Sequence, residues 1–378
     1  MARYLAQRLA SGLVALFLFL TMVFFMSQVL VQGDFVNANM PFATKAEKDA
    51  MREQLGLGNP LGVRYVGWLR DLASGDLGNS FYGYPVLPSL LGSLPFTLLM
   101  LVPAVSIAFL FGVFLGKVAA WRGPGILTDS MTFLAVVFYA FFPPALVFAL
   151  YRFLLPEAHI SNSDVIFGVF IQRLGETGIP NVQMQVLWTL LGALGATLLL
   201  NAVARRVLRR PLPVLAAWLL ASAVWIGSWF AIGIGADSLV LLQLLLAPLL
   251  AFTLLTMGDI VIVTRASVTD SIHDQYVWTA EAKGLPDRVV RDRHATRTAM
   301  LPIASRMVVS IPYLLAGMVI IESAAEWPGL GSVLFRAAMG RDVPMMMAAL
   351  MLVGVITLIA RLFLDVLLVV LDPRLRTA

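Results

Sequence analysis

Residues of the types that catalyse reactions or bind metals are few in this sequence and lie far apart. The chain has no cysteine and three histidines, His159, His273 and His294. The patterns His-Glu-x-x-His, Gly-x-Ser-x-Gly and Gly-x-x-x-x-Gly-Lys-Ser/Thr do not occur, so the spacings of a zinc protease, an activated serine and a nucleotide-binding loop are missing. The sequence therefore predicts no metal site, no catalytic constellation and no ATP bound through a P-loop.

Ionisable side chains inside apolar segments usually mark an ion or proton path, and this chain has few of them. Asp259 lies near one end of an apolar run, and Glu322 lies at the end of another. Arg361 and Asp365 are four residues apart, so they can pair on one face of a helix. This sparse set favours structural ion pairs over a proton relay.

The most unusual polar segment is residues 264–301, where the sequence predicts a helix, a turn and a second helix. Gln275 to Lys283 are helix-forming residues, and Gly284 is placed as the C-terminal cap. Pro286 and Asp287 start the next helix, which we expect to end before Pro302 opens an apolar span. Small residues along one side of the first helix would allow another protein to approach its backbone closely.

The whole composition indicates a protein that crosses a membrane several times. Of the 378 residues, 60% are hydrophobic and 13% are charged, and the mean hydropathy is +0.87. Soluble domains have about 45–50% apolar and about 25% charged residues, so a soluble globular protein is excluded. The net charge of +5 is read as basic residues of cytoplasmic loops, and no nucleic-acid partner is expected.

The hydropathy pattern predicts eight membrane spans with both chain ends in the cytoplasm. The third span is interrupted by Pro143-Pro144, and a cap at Thr44 with Glu47 predicts a surface helix over residues 43–55. The predicted spans are about 9–31, 95–120, 130–151, 186–204, 213–235, 238–263, 302–321 and 346–371.

Motifs in the polar segment and elsewhere resemble one transporter family. Tyr276 to Leu285 reads Tyr-Val-Trp-Thr-Ala-Glu-Ala-Lys-Gly-Leu, and Leu301-Pro302 follow 17 and 18 residues after Gly284. This resembles the EAA loop of ATP-binding-cassette (ABC) importer permeases, in the form found in the dipeptide/oligopeptide/nickel permease family. Further stretches that fit the family in order are Leu55–Pro60, Gly75–Ser80, Ser93–Thr97, Glu326–Gly331 with Arg341–Pro344, and Leu371–Arg376.

The resemblance implies an all-α polytopic membrane protein with the six-helix importer-permease core plus an inserted transmembrane hairpin. The predicted regions are the N-terminus and first span (1–31), an extracytoplasmic region (32–94), the second and third spans with an external loop (95–185), the hairpin (186–235) and the remaining core (236–378). The last region includes the cytoplasmic coupling loop 264–301. The expected location is the cytoplasmic (inner) membrane of a bacterium or archaeon.

Three groups of residues receive roles from the resemblance or from their positions. ATPase coupling is carried over to Tyr276, Thr279, Ala280, Glu281, Ala282, Lys283, Gly284 and Leu285. A loop on the outer side comprises Glu322, Trp327, Pro328, Gly329, Gly331, Arg341 and Asp342. Candidate pathway residues beside the proline pair and in a later span are Phe138, Tyr139, Phe141, Phe142, Pro143, Ser310, Pro312 and Tyr313.

The resemblance implies partners and a cargo as well. The partners are a second homologous permease, two cytoplasmic ATPases that carry ATP and magnesium, an extracytoplasmic solute-binding protein and membrane lipid; this chain itself would bind no cofactor and catalyse no reaction. Peptides are the expected cargo, while nickel chelates, glutathione and oligosaccharides stay open. The alternatives are an autonomous channel or secondary carrier for a small solute, and a membrane enzyme, which would need a polar catalytic cluster.

Overall fold

The fold is an assembly of helices, seen in a computed structural model that describes residues 2–29, 34–154, 182–207 and 214–371. Within these ranges the backbone forms helices and turns, with no strand beyond one isolated bridge between Asn79 and Pro85. Residues 155–181 and the last seven residues, which include the Leu371–Arg376 motif apart from its first residue, lie outside the described part of the chain.

The helices follow one another with short connections. The first part contains α1 (Ala2–Val29), α2 (Phe35–Asn39), α3 (Lys45–Gln54) and α4 (Leu61–Ser74). The middle contains α5 (Val86–Arg122), α6 (Ile126–Ala140), α7 (Pro143–Leu154), α8 (Val182–Val207) and α9 (Val214–Ile232). The last part contains α10 (Gly235–Ile272), α11 (Gln275–Ala282), α12 (Asp287–Val289), a π-helical segment (Val290–Ala295), α13 (Thr296–Ala324), α14 (Leu330–Met339) and α15 (Val343–Leu371).

Helix α10 is the centre of the bundle and packs against α5, α6 and α13. It approaches α5 closely at Gly116, where an added Cβ would lie 2.6 Å from the Thr264 Cβ and 2.8 Å from the Val261 carbonyl oxygen. At Gly258 of α10, an added Cβ would meet the backbone of α6, 2.9 Å from the Tyr139 nitrogen. Glycine at such positions lets helix backbones approach closely, as is usual in membrane proteins.

The all-α polytopic architecture is confirmed, although the number of spans is not fixed by the described residues. Among the described residues, five helical stretches are long and apolar enough to cross a membrane: Gln7–Gln28, Val86–Arg122, Val182–Ala204, Gly235–Ile272 and Val343–Val366. The pair α6–α7 makes a sixth if it is counted as one span. The predicted spans 213–235 and 302–321 overlap helices α9 and α13, of which the shorter stretches Leu219–Ile232 and Tyr313–Ala324 are apolar. The count of eight spans and the domain boundaries stay predictions.

The predicted third span is not a straight crossing. Helix α6 ends at Ala140, α7 begins at Pro143, and the two helices meet at 109°. Proline cannot donate the backbone hydrogen bond of a continuing helix but suits the first position of a new one, so the proline pair both ends α6 and starts α7.

The described residues of the predicted hairpin form α8 and α9, which pack against each other. The Trp225 indole N–H donates to the Val186 carbonyl at 3.1 Å, and the Trp229 indole N–H donates to the Thr189 hydroxyl at 3.2 Å. The rings of Trp225 and Trp229 are edge to face, with centroids 4.9 Å apart. The hairpin is therefore joined by two polar contacts that also satisfy both indole donors.

Two local predictions near the chain ends had different outcomes. The surface helix is confirmed as α3, because Thr44 caps it and Glu47 completes a reciprocal capping box. The ion pair predicted between Arg361 and Asp365 is wrong, since the Asp365 carboxylate lies 3.9 Å from the Arg8 guanidinium of α1. The packing of α1 against α15 decides this partner.

Candidate functional site

The segment predicted to contact an ATPase forms a short exposed helix with a well-defined end. Helix α11 is followed by Gly284, whose φ is +73°. The Gly284 N–H donates to the Glu281 carbonyl at 2.8 Å, and the Leu285 N–H donates to the Ala280 carbonyl at 3.4 Å. These two bonds are a Schellman motif, in which the left-handed residue is usually glycine. The predicted C-cap is thus confirmed.

One side of α11 is buried and the other is exposed. Val277 and Ala280 pack into a small cluster with Val290 and Ala295, against which Trp121 of α5 also packs. The remaining predicted coupling residues are exposed, namely Tyr276, Thr279, Glu281, Ala282, Lys283, Gly284 and Leu285. Ala280 therefore supports the helix from beneath, because its side chain is only 4% exposed. An added Cβ at Gly284 would meet no atom of this chain within 4 Å.

An ion-pair network joins the segment after α11 to the end of α5. Asp292 of the π-helical segment lies 3.0 Å from the Lys117 ammonium and 2.9 Å from the Arg291 guanidinium. The hydrogen bond from Arg291, followed by that from Lys117, lowers the pKa of Asp292 to about 2 against the opposing effect of partial burial. The network fixes the loop to the bundle.

The chain then continues into α13 without the predicted break at Pro302. Pro302 lies inside α13, which runs as one helix from Thr296 to Ala324. The expectation that the second helix ends before Pro302 is wrong, because the chain stays helical from the π-helical segment through Pro302. The start of a membrane span at Pro302 stays a prediction. One helical segment therefore runs from Asp287 through the π-helical residues to Ala324.

A cleft of about 460 Å³ opens where the α6–α7 break faces α10 and α13. Five of the predicted pathway residues line it: Tyr139, Phe141, Pro143, Ser310 and Tyr313. The structure does not place Phe138 and Phe142 among the lining residues. The side chain of Pro312 lies outside the described part of the structure.

The cleft contains one pair of opposite charges. The Arg306 guanidinium lies 3.6 Å from the Asp259 carboxylate. The Ser310 hydroxyl lies 3.4 Å from the same carboxylate and 3.0 Å from the Arg306 carbonyl, its shorter acceptor. Arg306 was not predicted as a site residue from the sequence. Its position inside the predicted span 302–321, opposite Asp259 in another span, was the signal that could have identified the pair.

A second polar centre surrounds Glu322, the last carboxylate of α13. The Thr97 hydroxyl donates to one oxygen of Glu322 at 2.7 Å, while the Gly331 N–H donates to the other at 2.6 Å. The Leu330 N–H in turn donates to the Thr97 hydroxyl oxygen at 2.7 Å. The Glu322 side chain is fully buried, and the Ser332 N–H adds a longer bond of 3.3 Å. The carboxyl group thus joins α5 to the start of α14.

The loop between α13 and α14 is shaped to cover this carboxyl group. A Cβ at Gly329 would collide with the Glu322 carboxyl atoms, and a Cβ at Gly331 would lie 2.6 Å from the Val319 Cα. Trp327 is buried, and its indole N–H donates to the Phe96 carbonyl at 2.9 Å. The predicted outer-loop residues Glu322, Trp327, Gly329 and Gly331 therefore come together, with Pro328 half-buried beside them.

Arg341 and Asp342 lie at a separate junction, at the start of α15. The Asp342 carboxylate accepts hydrogen bonds from the Ser80 hydroxyl and from the Phe81 N–H, the latter at 3.1 Å. Arg341 has a φ of +57°, which places it in the left-handed region. Asp342 thus connects the Gly75–Ser80 motif to the loop before α15.

Comparisons with known proteins cover nearly the whole chain. Residues 13–377 match the family described as "Binding-protein-dependent transport system inner membrane component". An inferred peptide permease protein of Brucella suis is 28% identical over all of this chain and 99% of its own length. The oligopeptide transport system permease protein AppB of Bacillus subtilis is 25% identical over 99% of each chain, and OppB of Escherichia coli is 24% identical over 100% of each.

Proposed function

Because the chain belongs to the family of binding-protein-dependent transport system inner membrane components, we propose that it forms half of the pathway of an ABC importer for peptides. The observation that carries this proposal is the exposed helix α11, which is anchored to the bundle by its buried side and is open to a partner at Gly284. The names of the relatives, which are peptide, oligopeptide and dipeptide permeases, support peptide as the cargo.

Closure of the ATPases would move α11, and the chain offers two connections from there to the cleft. One runs through Val277 and the buried cluster into the π-helical segment and then α13, which carries Ser310 and Tyr313. The other runs through Asp292 and Lys117 into α5. Because α13 and α10 both line the cleft, a rigid movement of α13 would open the cleft to one side of the membrane and close it to the other.

The proposed assembly contains this chain, a second homologous permease, two ATPases and an extracytoplasmic binding protein. ATP and magnesium would be held by the ATPases, and this chain would contribute movement but no catalytic residue. Both chain ends and the segment 264–301 would face the cytoplasm, since the basic residues concentrate there. The loop around Glu322 would then lie on the opposite side, towards the binding protein.

The test is Gly284→Arg in the assembled importer. We expect normal membrane insertion, loss of the co-purified ATPases and loss of the ATPase activity that peptide-loaded binding protein stimulates, because the new side chain enters the docking space and opposes the left-handed turn. The matched control is Gly75→Arg, since Gly75 also has a positive φ, +76°, at a helix end with open space around it. This control variant should retain its ATPases.

Full coupling in the Gly284→Arg variant would exclude α11 as the ATPase contact. Import of dialanine by the purified chain alone in liposomes, without ATP, would instead support the autonomous carrier.

A further inference from the structure

We propose that Asp259 and Arg306 form a binding subsite for the two charged ends of a short zwitterionic peptide, with the ammonium at Asp259 and the terminal carboxylate at Arg306. The proposal deepens the proposed function, since it takes a peptide as the cargo and names the groups of the cleft that would recognise it. It starts from the position of the pair inside the cleft between α10 and α13.

The geometry of the pair leaves both groups open to a ligand. The contact is a single nitrogen–oxygen approach of 3.6 Å, whereas a strong structural Arg–carboxylate pair is bidentate and about 2.7–2.9 Å long. The Arg306 side chain is 49% exposed and that of Asp259 is 23% exposed. Both can therefore accept new partners without first losing a tight bond.

The walls around the two charged side chains are mostly aromatic and aliphatic. Among the described residues that line the cleft, Asp259 and Arg306 are the charged ones. The walls include exposed aromatic rings, Tyr139 and Tyr313, and aliphatic residues such as Leu314. Aromatic and aliphatic walls tolerate many side chains, while the charges are fixed in position. Since all unmodified peptides share their two termini and differ in their side chains, this division fits recognition of peptides of varied sequence.

The dimensions fit a short peptide. The contacting atoms of the pair are 3.6 Å apart. An extended peptide spans about 3.3–3.6 Å per residue, so the termini of a dipeptide can lie beside the two outer edges of the pair with charges alternating. The Ser310 hydroxyl lies 3.4 Å from the Asp259 carboxylate but has a shorter acceptor in the Arg306 carbonyl, at 3.0 Å, so the carboxylate keeps capacity for a ligand.

The experiment measures binding of radiolabelled dialanine to the complete purified importer in nanodiscs, without the binding protein. Competitors are N-acetyl-dialanine, which lacks the ammonium, and dialanine amide, which lacks the carboxylate. The unmodified importer should bind dialanine about 10- to 100-fold more tightly than either blocked peptide, which corresponds to one charge-assisted hydrogen bond.

Two substitutions should change this discrimination in opposite ways. Asp259→Asn should remove the preference over the acetylated peptide and keep the preference over the amide, and Arg306→Gln should do the reverse. A folding defect cannot produce this crossed pattern. The controls Asp129→Asn and Arg122→Gln neutralise exposed charges at the ends of α6 and α5, outside the cleft, and should leave all three affinities unchanged.

Absence of discrimination in the unmodified importer, absence of dialanine binding, or an equal loss for all three peptides in both variants would overturn the subsite. These results are separable from failure of the proposed function, which is read from ATP-driven import of dialanine into proteoliposomes with the binding protein present. Import without discrimination rejects the subsite alone, whereas absence of any peptide import rejects the function as well.

Discussion

The hydrogen bonds around Glu322 give a sharp prediction for Thr97. Thr97→Val keeps the shape of the side chain but removes the hydroxyl that accepts from the Leu330 N–H and donates to Glu322, each at 2.7 Å. Leaving the buried Leu330 donor unpaired costs about 1–3 kcal/mol, and losing the hydrogen bond from Thr97 to Glu322 costs about a further 0.5–1.5 kcal/mol. We therefore expect Thr97→Val to lower the free energy of unfolding by about 1.5–4.5 kcal/mol.

The matched control is Thr97→Ser, which keeps the hydroxyl and loses one methyl group, at a cost of about 1 kcal/mol. The assay measures the thermal midpoint of the assembled importer by fluorescence-detected size-exclusion chromatography. At about 2–4 °C per kcal/mol, a scale taken from soluble domains of 150–250 residues, Thr97→Val should lower the midpoint several degrees more than Thr97→Ser.

A double-mutant cycle with Glu322→Met, which removes both carboxyl oxygens at a similar side-chain length, isolates the contact itself. Because Thr97 and Glu322 share one hydrogen bond, their effects should deviate from additivity by about 0.5–3 kcal/mol. Equal midpoints for Thr97→Val and Thr97→Ser, or strictly additive effects with Glu322→Met, would refute the argument that this carboxyl group joins α5 to α14.

Three further predictions concern packing and charge. Gly116→Val should lower the thermal midpoint strongly, because its Cβ would collide with α10, whereas Gly227→Val, at a position with open space, should change it little. Asp292→Asn should lower the thermal midpoint at pH 7. The pKa of Asp292 is about 2 in the folded protein and about 3.9 in the unfolded chain. In a pH series of melting curves, the difference in midpoint from the unmodified protein should therefore shrink as the pH falls from about 4 to 2. Asp342→Ala should leave the Ser80 hydroxyl without its acceptor and cost about 1–3 kcal/mol, measured by the same melting assay, and an unchanged midpoint would contradict the junction at α15.

The features predicted correctly from the sequence depend on residues close together in the chain. Thr44 and Glu47 are three residues apart and form the predicted capping box. Gly284 ends α11 as predicted, because the left-handed turn involves its immediate neighbours. Pro143 begins a new helix after the break. Long apolar runs were also sufficient to predict an all-α polytopic protein, since a backbone in lipid must satisfy its hydrogen bonds internally.

Some residues of the candidate site were predicted from the sequence, but the residues that they contact were not. Asp259 and Glu322 were recognised as unusual charges in apolar runs, but Arg306 was not assigned to Asp259, and the Thr97 contact with Glu322 was not foreseen. Ala280 was placed with the exposed coupling residues, although the fold turns its side chain inward. Helical periodicity gives the angle between side chains on one helix, but it does not say which side meets the rest of the protein.

The sequence by itself determined the cap at Thr44, the helix end at Gly284 and the break at Pro143, because capping residues and prolines act on their immediate neighbours. Only the tertiary structure decided which distant side chains meet. Thr97 and Glu322 are 225 positions apart, and Asp365 lies beside Arg8 although Arg361 is nearer in sequence. Such partners depend on the rotation and crossing of packed helices, which are set by close approaches such as that at Gly116 and by the combined packing of the whole bundle.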